Sequence, residues 1–349
     1  MKDGYSRVPD PGDGLRLHLN ENTGGCSPAA LAALRALNEM DAAVYPDYTA
    51  VNNEVAAFFG VPADWLLLTN GLDEGLQLVA WAALGGRDRR DPAEAVIVEP
   101  AFDMYAACAG AAGGRVVAVG PRADFAFPID AVLAAITPAT RLVFLTSPNN
   151  PTGQIIPRAA IHQVAAAAPH TVVLVDEAYE EFAGDSLIEA GTVNAPASVI
   201  VGRTFAKAHG LAALRVGALV ARPDTLEPVR RLALPYRLNV AAVTALRAAL
   251  RDRAHVERYV RETAESKRLL YAACERLGLE YWPSAANFVL VRVGPRLQDL
   301  VSGLSRRRIF IRDRSGEPGC AGCVRITTGL VEHTRACVSA MEEILCGER

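Results

Sequence analysis

Residues 141–179, RLVFLTSPNNPTGQIIPRAAIHQVAAAAPHTVVLVDEAY, carry the pattern that decides the fold. Two continuous apolar runs, at residues 142–146 and 172–175, flank an alanine-rich stretch with a helical pattern. Because these runs do not alternate with polar residues, they indicate strands that are buried on both faces. Such strands, separated by helices, are typical of a parallel sheet, so the segment predicts an α/β fold.

The same pattern extends along the chain in both directions. Further apolar runs that alternate with helical patterns stand at residues 65–69, 95–98, 116–119, 199–201 and 216–220. Together they predict a large domain over residues 45–240, built as three layers around a mostly parallel sheet.

Beyond residue 240 the pattern of charged and apolar residues changes. A charged helical pattern occupies residues 257–277. Shorter strand patterns follow at residues 287–293, 309–311 and 324–327. This order predicts a smaller α+β domain over residues 241–349.

The start of the chain predicts a separate N-terminal arm over residues 1–44. Ser27 and Pro28 form an N-cap and a first-turn proline, which predicts a helix that ends before the turn at Tyr45. We expect this arm to pack with the smaller domain.

Composition and charge exclude several classes of partner. The formal net charge is -3, with no basic excess that would suit a nucleic acid. No apolar run reaches membrane-spanning length, and the polar start fits no signal peptide, so we expect a soluble cytoplasmic protein without a membrane partner. The seven cysteines are scattered, and we interpret the Cys320–Cys323 pair as incidental thiols rather than as a metal or redox site.

Lysine is rare in this chain, which directs attention to the site of Lys207. The other lysines are Lys2, near the terminus, and Lys267, which we expect on the exposed face of a charged helix. Lys207 follows the predicted strand at residues 199–201 and therefore lies near the carboxyl edge of the sheet, where α/β folds bind ligands. Lysine can lose its proton and form a Schiff base, whereas arginine cannot. An ordinary loop lysine remains the alternative until its neighbours are considered.

Groups at the same sheet edge match the needs of pyridoxal 5′-phosphate. Asp176 directly follows a buried strand, and its carboxylate is a candidate partner for the ring nitrogen of the cofactor. Tyr179 and Asn150 are both candidate donors to the phenolate oxygen of the ring. Phe102 follows another strand and either stacks on the ring or is a core aromatic.

The cofactor phosphate is assigned to a helix N-terminus. Gly71, Leu72 and Asp73 open a helix directly after the strand at residues 65–69, so their backbone amides form an anion site. Thr204 and Arg215 flank Lys207 and are candidates to complete this site, with Arg215 expected to start a strand.

An ordered series of motifs resembles the fold-type-I aminotransferases, and within them the histidinol-phosphate aminotransferase family. The motifs are Leu19-Asn20-Glu21-Asn22, Tyr45-Pro46-Asp47, Gly71-Leu72-Asp73-Glu74, Ser147-Pro148-Asn149-Asn150-Pro151-Thr152-Gly153, Asp176-Glu177-Ala178-Tyr179, residues 203–215, Ile311-Arg312-Asp313 and Gly322-Cys323-Val324-Arg325-Ile326-Thr327. The resemblance covers residues 19–345. Three positions depart from the family pattern, namely Ala206 in place of serine, His209 in place of an aromatic and Ala213 in place of glycine.

The resemblance implies further roles and a reaction. Arg325 is implied to bind the substrate anion, and Arg312 to join it where the substrate bears a phosphate, with Asn20 and Tyr5 beside the substrate. Tyr45 is implied to reach the cofactor phosphate of a neighbouring subunit, which makes the protein a homodimer with shared active sites. The implied reaction transfers an amino group from histidinol phosphate, the small-molecule donor, to the 2-oxo acid 2-oxoglutarate in histidine biosynthesis.

Three alternatives share this fold and cofactor. A threonine-phosphate decarboxylase and an aromatic or aspartate aminotransferase have the same core around Lys207. A noncatalytic pyridoxal-phosphate-sensing domain is the third, although a regulator of that kind carries an N-terminal DNA-binding module. The sequence motifs around Lys207 do not separate the first two from the implied reaction.

Overall fold

The structure is a computed structural model that describes residues 10–86 and 92–347. Its strands are β1 (Leu15–Leu17), β2 (Leu66–Asn70), β3 (Glu94–Val98), β4 (Arg115–Val119), β5 (Thr140–Thr146), β6 (Val172–Asp176), β7 (Ile188–Glu189), β8 (Thr192–Val193), β9 (Val199–Thr204), β10 (Val216–Val220), β11 (Glu280–Trp282), β12 (Phe288–Arg292), β13 (Ile309–Asp313) and β14 (Cys323–Thr327). Its helices are α1 (Pro28–Arg35), α2 (Glu39–Ala43), α3 (Thr49–Phe59), α4 (Gly71–Leu84), α5 (Met104–Ala111), α6 (Ile129–Ala135), α7 (Arg158–Ala167), α8 (Glu180–Ala183), α9 (Pro223–Arg230), α10 (Val240–Arg251), α11 (Arg253–Leu277), α12 (Leu297–Arg306) and α13 (Val331–Cys346).

The large sheet has the strand order β2-β10-β9-β6-β5-β3-β4. Strand β10 is antiparallel to both of its neighbours, and the other neighbouring pairs are parallel. Alternate strand residues are buried on opposite faces, against α3, α7 and α10 on one side and α4, α5 and α9 on the other. The predicted three-layer, mostly parallel sheet is therefore confirmed.

The register of the large sheet places the ends of β5 and β6 side by side and close to the end of β9. Thr146 at the end of β5 pairs with Asp176 at the end of β6, and Asp176 pairs with Gly202 of β9. Residues that follow these strands therefore meet at one edge, as expected for parallel strands.

The small sheet has the order β1-β13-β14-β12-β11. The chain enters it through β1, which pairs in parallel with β13, while the other neighbouring pairs are antiparallel. Helices α11, α12 and α13 bury one face of this sheet in a core of its own. After β1 the chain turns through Asn20, which adopts a left-handed conformation with φ 57°.

Two features of the helices differ from the sequence predictions. The single helix predicted from Pro28 is wrong in length, because it ends at Arg35 and a second helix, α2, starts after a capping box built by Asn38 and Asp41. The apolar residues of α10 lie in the same core as the large sheet, which favours a boundary beyond Arg251. The division into an arm and two domains stays a prediction.

The helices of the described residues are too short or too polar to cross a membrane.

Candidate active site

A cavity of about 560 Å³ opens between the carboxyl edge of the large sheet, the chain after β1 and the small sheet. The predicted site residues that line it are Asn20, Leu72, Asp73, Phe102, Asn150, Asp176, Tyr179, Thr204, Lys207, Arg215, Arg312 and Arg325. The fold therefore brings together residues as far apart in the sequence as Asn20 and Arg325, since β1 leads to Asn20 at the small sheet and β14 carries Arg325.

The amine of Lys207 projects into this cavity from the turn after β9. Its Nζ donates a hydrogen bond to the carbonyl oxygen of Leu19 at 3.1 Å and lies 5.8 Å from the ring centroid of Tyr179. Within residues 10–86 and 92–347 it is the one lysine that lines the cavity. A single exchangeable bond to a carbonyl leaves this amine available for chemistry.

Asp176 supplies a buried carboxylate at the end of β6. Its Oδ2 accepts a 2.7 Å hydrogen bond from the hydroxyl of Tyr105, and its Oδ1 accepts from the backbone N–H of Ala178 at 2.9 Å. Burial raises the pKa of Asp176 to about 6, against the hydrogen bond from Tyr105, which lowers it. A cation that faces this carboxyl group favours its ionised form.

Tyr105 is a site residue that the sequence analysis missed. It lies on α5, it is fully buried, and its hydroxyl also shares a 2.7 Å hydrogen bond with Thr146 Oγ1. Its ring packs edge-on against Phe102, which lines the cavity. No motif marks this tyrosine, although its position in the first turn of a helix after a strand end was available as a signal.

The N-terminus of α4 and Arg215 form the polar end of the cavity. Arg215 has the left-handed φ of 56° and precedes β10 rather than starting it. Its Nη2 donates to Asp73 Oδ2 at 2.7 Å. Gly71 has φ 75°, and a Cβ there would collide with the guanidinium of Arg215. The glycine therefore makes room for the arginine beside the first amides of α4, a site suited to an anion.

A hydrogen-bond network crosses from the arm to both sheets. Asn20 Nδ2 donates to the hydroxyl oxygen of Tyr179 at 2.9 Å, and Thr327 Oγ1 donates to Asn20 Oδ1 at 3.1 Å. Asn150 Oδ1 accepts from Arg325 Nη1. These bonds hold the Tyr179 phenol and the Asn150 amide in place at the wall of the cavity that Lys207 lines.

Arginines from β13 and β14 form the other wall. Arg312 and Arg325 are direct cross-strand partners, so both side chains stand on the same face of the small sheet. Arg325 is buried, donates from Nη2 to the carbonyl oxygen of His18 at 2.7 Å, and lies over the ring of Phe288. Arg314, which the sequence analysis did not single out, lines the same cavity.

Other predicted residues lie elsewhere. Tyr45 is 73% exposed, does not line the cavity, and stacks on Tyr236 with ring centroids 4.0 Å apart. Tyr5 lies outside the described residues. The prediction that Lys267 is exposed is wrong, because its Nζ donates to the Ser284 carbonyl oxygen at 2.7 Å and burial lowers its pKa to about 8.

The residues present fit pyridoxal 5′-phosphate. The cavity combines an amine, a buried carboxylate held by two donors, and a helix N-terminus with an arginine that a glycine accommodates. These are the groups required to hold an aldehyde, a ring nitrogen and a phosphate. Among the described residues, no cluster of side chains suits a metal ion instead.

Comparisons with known proteins assign the chain to a family. The family model for aminotransferase class I and II matches residues 12–338. The chain is 39% identical to a histidinol-phosphate aminotransferase of Symbiobacterium thermophilum over 95% of this chain and 91% of that protein.

Solved structures are similar over nearly the whole chain. A putative histidinol-phosphate aminotransferase from Erwinia carotovora atroseptica superposes with a TM-score of 0.87 at 29% identity, covering 98% of this chain and 99% of that one. Histidinol-phosphate aminotransferase from Sinorhizobium meliloti, in complex with pyridoxal-5′-phosphate, superposes with a TM-score of 0.84 at 26% identity, covering 96% and 92%.

Proposed function

Because the chain belongs to the class I and II aminotransferases, we propose that it transfers the amino group of histidinol phosphate to 2-oxoglutarate. The products are imidazole-acetol phosphate and glutamate, which places the enzyme in histidine biosynthesis. The names of its relatives support this substrate. The observation that carries the proposal is the Arg312–Arg325 cross-strand pair, which faces the same cavity as the Lys207 amine.

The cofactor is pyridoxal 5′-phosphate. When bound, its ring supplies a sink for the electrons left on the substrate when Cα loses a proton. We assign Lys207 to hold the cofactor and, once released, to move that proton as general base and acid. We assign Asp176 to the ring nitrogen, because its buried carboxylate, with a pKa raised to about 6, is stabilised in the charged form by a facing cation.

The remaining cofactor contacts follow from the cavity walls. Tyr179, oriented by Asn20, and Asn150 are assigned to the ring oxygen. The amides of Gly71, Leu72 and Asp73, together with Thr204 and Arg215, are assigned to the phosphate. The Asp73 carboxylate is paired with Arg215 and repels a phosphate, so only its backbone N–H is assigned this role. Phe102 is assigned to the ring face.

The substrate phosphate is assigned to Arg312 and Arg325. Two like charges opposite each other on neighbouring strands destabilise a sheet, and an anion between them removes that cost. The fixed forks of two guanidinium groups suit the oxygens of a phosphate or a carboxylate, so the same wall accommodates 2-oxoglutarate in the second half-reaction. We also assign Asn20 and Tyr5 to the substrate side.

We propose that the protein acts as a homodimer. Several large apolar side chains are exposed on α2 and the segments after α2 and α9, namely Met40, Val44, Tyr45, Leu234 and Tyr236. Such a patch is typical of a protein interface. In this dimer Tyr45 reaches the cofactor phosphate of the partner subunit. Light scattering of the purified protein tests the proposal, since a monomer at micromolar concentration contradicts it. A cytoplasmic location stays a prediction.

The proposed reaction is tested by turnover. The purified enzyme with histidinol phosphate and 2-oxoglutarate should form glutamate, and Lys207→Arg, which keeps the charge but cannot form an imine, should not. Threonine phosphate, phenylalanine and aspartate are offered in parallel. Release of CO₂ from threonine phosphate without glutamate formation supports the decarboxylase instead. Faster turnover of phenylalanine or aspartate overturns the assigned donor, and bound cofactor without turnover of any amine indicates the sensing domain.

A further inference from the structure

Arg314 is a buried cation in the cavity wall whose hydrogen-bonding capacity is not used by the described part of the chain. Its side chain is 6% exposed, and its Nε and Nη2 make no hydrogen bond to any residue in 10–86 or 92–347. Its closest acidic partner is Glu317, with Nη2 and Oε1 3.7 Å apart, which is too long for a hydrogen bond. A buried guanidinium group whose donors are not hydrogen-bonded is stabilised by a bound anion.

The strand pattern directs Arg314 to the substrate side. It lies two residues after Arg312, and alternate residues of an extended chain face the same way. Its backbone N–H donates to the Cys323 carbonyl oxygen at 2.9 Å, so the pairing of β13 with β14 continues to this residue. Arg312, Arg314 and Arg325 therefore share one face of the small sheet and line one cavity.

Arg314 adds a third guanidinium group to the wall that Arg312 and Arg325 form. Among the described residues, Glu317 is the one carboxylate within 4 Å of the Arg314 guanidinium. The Arg325 guanidinium donates hydrogen bonds to the neutral Asn150 amide and to the His18 carbonyl oxygen. Three guanidinium groups attract a dianion more strongly than a monoanion.

We propose that Arg314 is a third substrate-binding arginine, which selects a phosphate monoester over a carboxylate. A phosphate monoester has three terminal oxygens and close to two charges, whereas a carboxylate has two oxygens and one charge. Arg312 and Arg325 suffice for a carboxylate, and Arg314 binds the additional oxygen. This inference rests on the proposed function in taking the amino donor as the phosphorylated substrate and 2-oxoglutarate as the carboxylate.

The two half-reactions provide the test. Arg314→Met keeps most of the side-chain volume and removes the charge, and Arg335→Met removes an exposed arginine of α13 as the matched control. Single-turnover kinetics with the holoenzyme should show kcat/KM for histidinol phosphate reduced about tenfold to a hundredfold in Arg314→Met. The value for 2-oxoglutarate should change by less than about threefold, and Arg335→Met should match the wild type in both.

Two further variants separate binding from folding. Arg314→Lys should recover part of the lost kcat/KM, because it restores the charge. Glu317→Gln should raise the affinity for a phosphate, because it removes the acid that competes for Arg314. If Arg314 and Glu317 are only a structural pair, both Arg314→Met and Glu317→Gln lower the thermal midpoint and change both half-reactions equally, which overturns the proposal.

A binding measurement keeps this inference separate from the proposed reaction. Calorimetric titration of the holoenzyme with inorganic phosphate reports on the substrate side, because the cofactor already fills its own phosphate site. Arg314→Met should weaken this binding at least about tenfold. If the wild type does not turn over histidinol phosphate, the proposed function fails while this titration still decides the role of Arg314. Unchanged phosphate affinity in Arg314→Met overturns the inference.

Discussion

The hydrogen bond from Tyr105 to Asp176 allows a quantitative prediction for Tyr105→Phe. The substitution removes the 2.7 Å bond to Oδ2 and leaves the ring in place. A hydrogen bond to a charged group is worth about 1.5–3 kcal/mol, and one pKa unit corresponds to about 1.36 kcal/mol. Because this bond lowers the pKa of Asp176, its loss should raise that pKa from about 6 to roughly 7–8.

The sign of the effect on stability follows from the two states of the chain. The folded-state pKa of Asp176, about 6, lies above the unfolded value of about 3.9. The contribution of this group to the free energy of unfolding is therefore fully present below about pH 4 and is lost as pH rises to about 6. In Tyr105→Phe this loss of stability should continue to about pH 8 and should lower the free energy of unfolding by roughly 1.5–3 kcal/mol more than in the wild type.

Urea unfolding of the cofactor-free protein at a series of pH values measures this difference. The gap in unfolding free energy between wild type and Tyr105→Phe should widen between about pH 5.5 and about pH 8.5. Tyr271→Phe is the matched control, because Tyr271 accepts a 2.8 Å hydrogen bond from the Ser284 backbone N–H and is hydrogen-bonded to no carboxylate of the described residues. The difference in unfolding free energy between Tyr271→Phe and the wild type should stay constant over this pH range. A constant gap for Tyr105→Phe as well would refute the assigned interaction.

Three other substitutions have defined outcomes. Gly71→Ala forces a Cβ onto a left-handed residue and against Arg215. The free energy of unfolding should therefore fall by about 1–3 kcal/mol, and the cofactor should be released faster. An unchanged unfolding free energy and an unchanged release rate would contradict this prediction. Ala206→Ser adds a hydroxyl to the cavity wall and should lower the cofactor Kd about tenfold or more by equilibrium dialysis, and a weaker affinity would count against the phosphate assignment. His209→Phe should raise the free energy of unfolding by about 1 kcal/mol, since neither ring nitrogen is hydrogen-bonded within the described residues; destabilisation in urea would show that the pocket requires the imidazole.

The apolar runs predicted the large sheet well because burial on both faces leaves a clear pattern in the sequence. The strand predicted at residues 199–201 continues to Thr204. The prediction stopped too early because Gly202, Arg203 and Thr204 are buried without being apolar. Strands β1 and β11 have three residues each, LRL and EYW, and no pattern of their own. They form because β13 and β12 offer edges to pair with, which is tertiary information.

The cavity residues that follow strand ends were predictable, because a parallel sheet collects those positions at one edge. Asp176 and Lys207 are examples, and the predicted resemblance to the histidinol-phosphate aminotransferase family is confirmed by the comparisons. Tyr105 was missed because it reaches Asp176 from a helix. Lys267 was wrongly predicted to be exposed because its neighbours in the sequence are charged. Its side chain instead donates a hydrogen bond to the Ser284 carbonyl oxygen.

Arg314 shows a different limit of the sequence pattern. Its place two residues after Arg312 was available, but the strand prediction stopped at residue 311 and left the alternation unused. Whether a charged side chain is buried without a hydrogen-bonding partner depends on the elements packed around it, which no local pattern records.

The central claim is that Lys207 holds the cofactor, and covalent trapping tests it most directly. Reduction of the holoenzyme with borohydride fixes any imine, and peptide mass spectrometry then locates the pyridoxyl group. Lys267, whose pKa is lowered to about 8, is a competing amine that lies outside the cavity wall. We expect the label on the peptide that contains Lys207. A label on Lys267, or a reduced protein without a label on Lys207, would contradict the account.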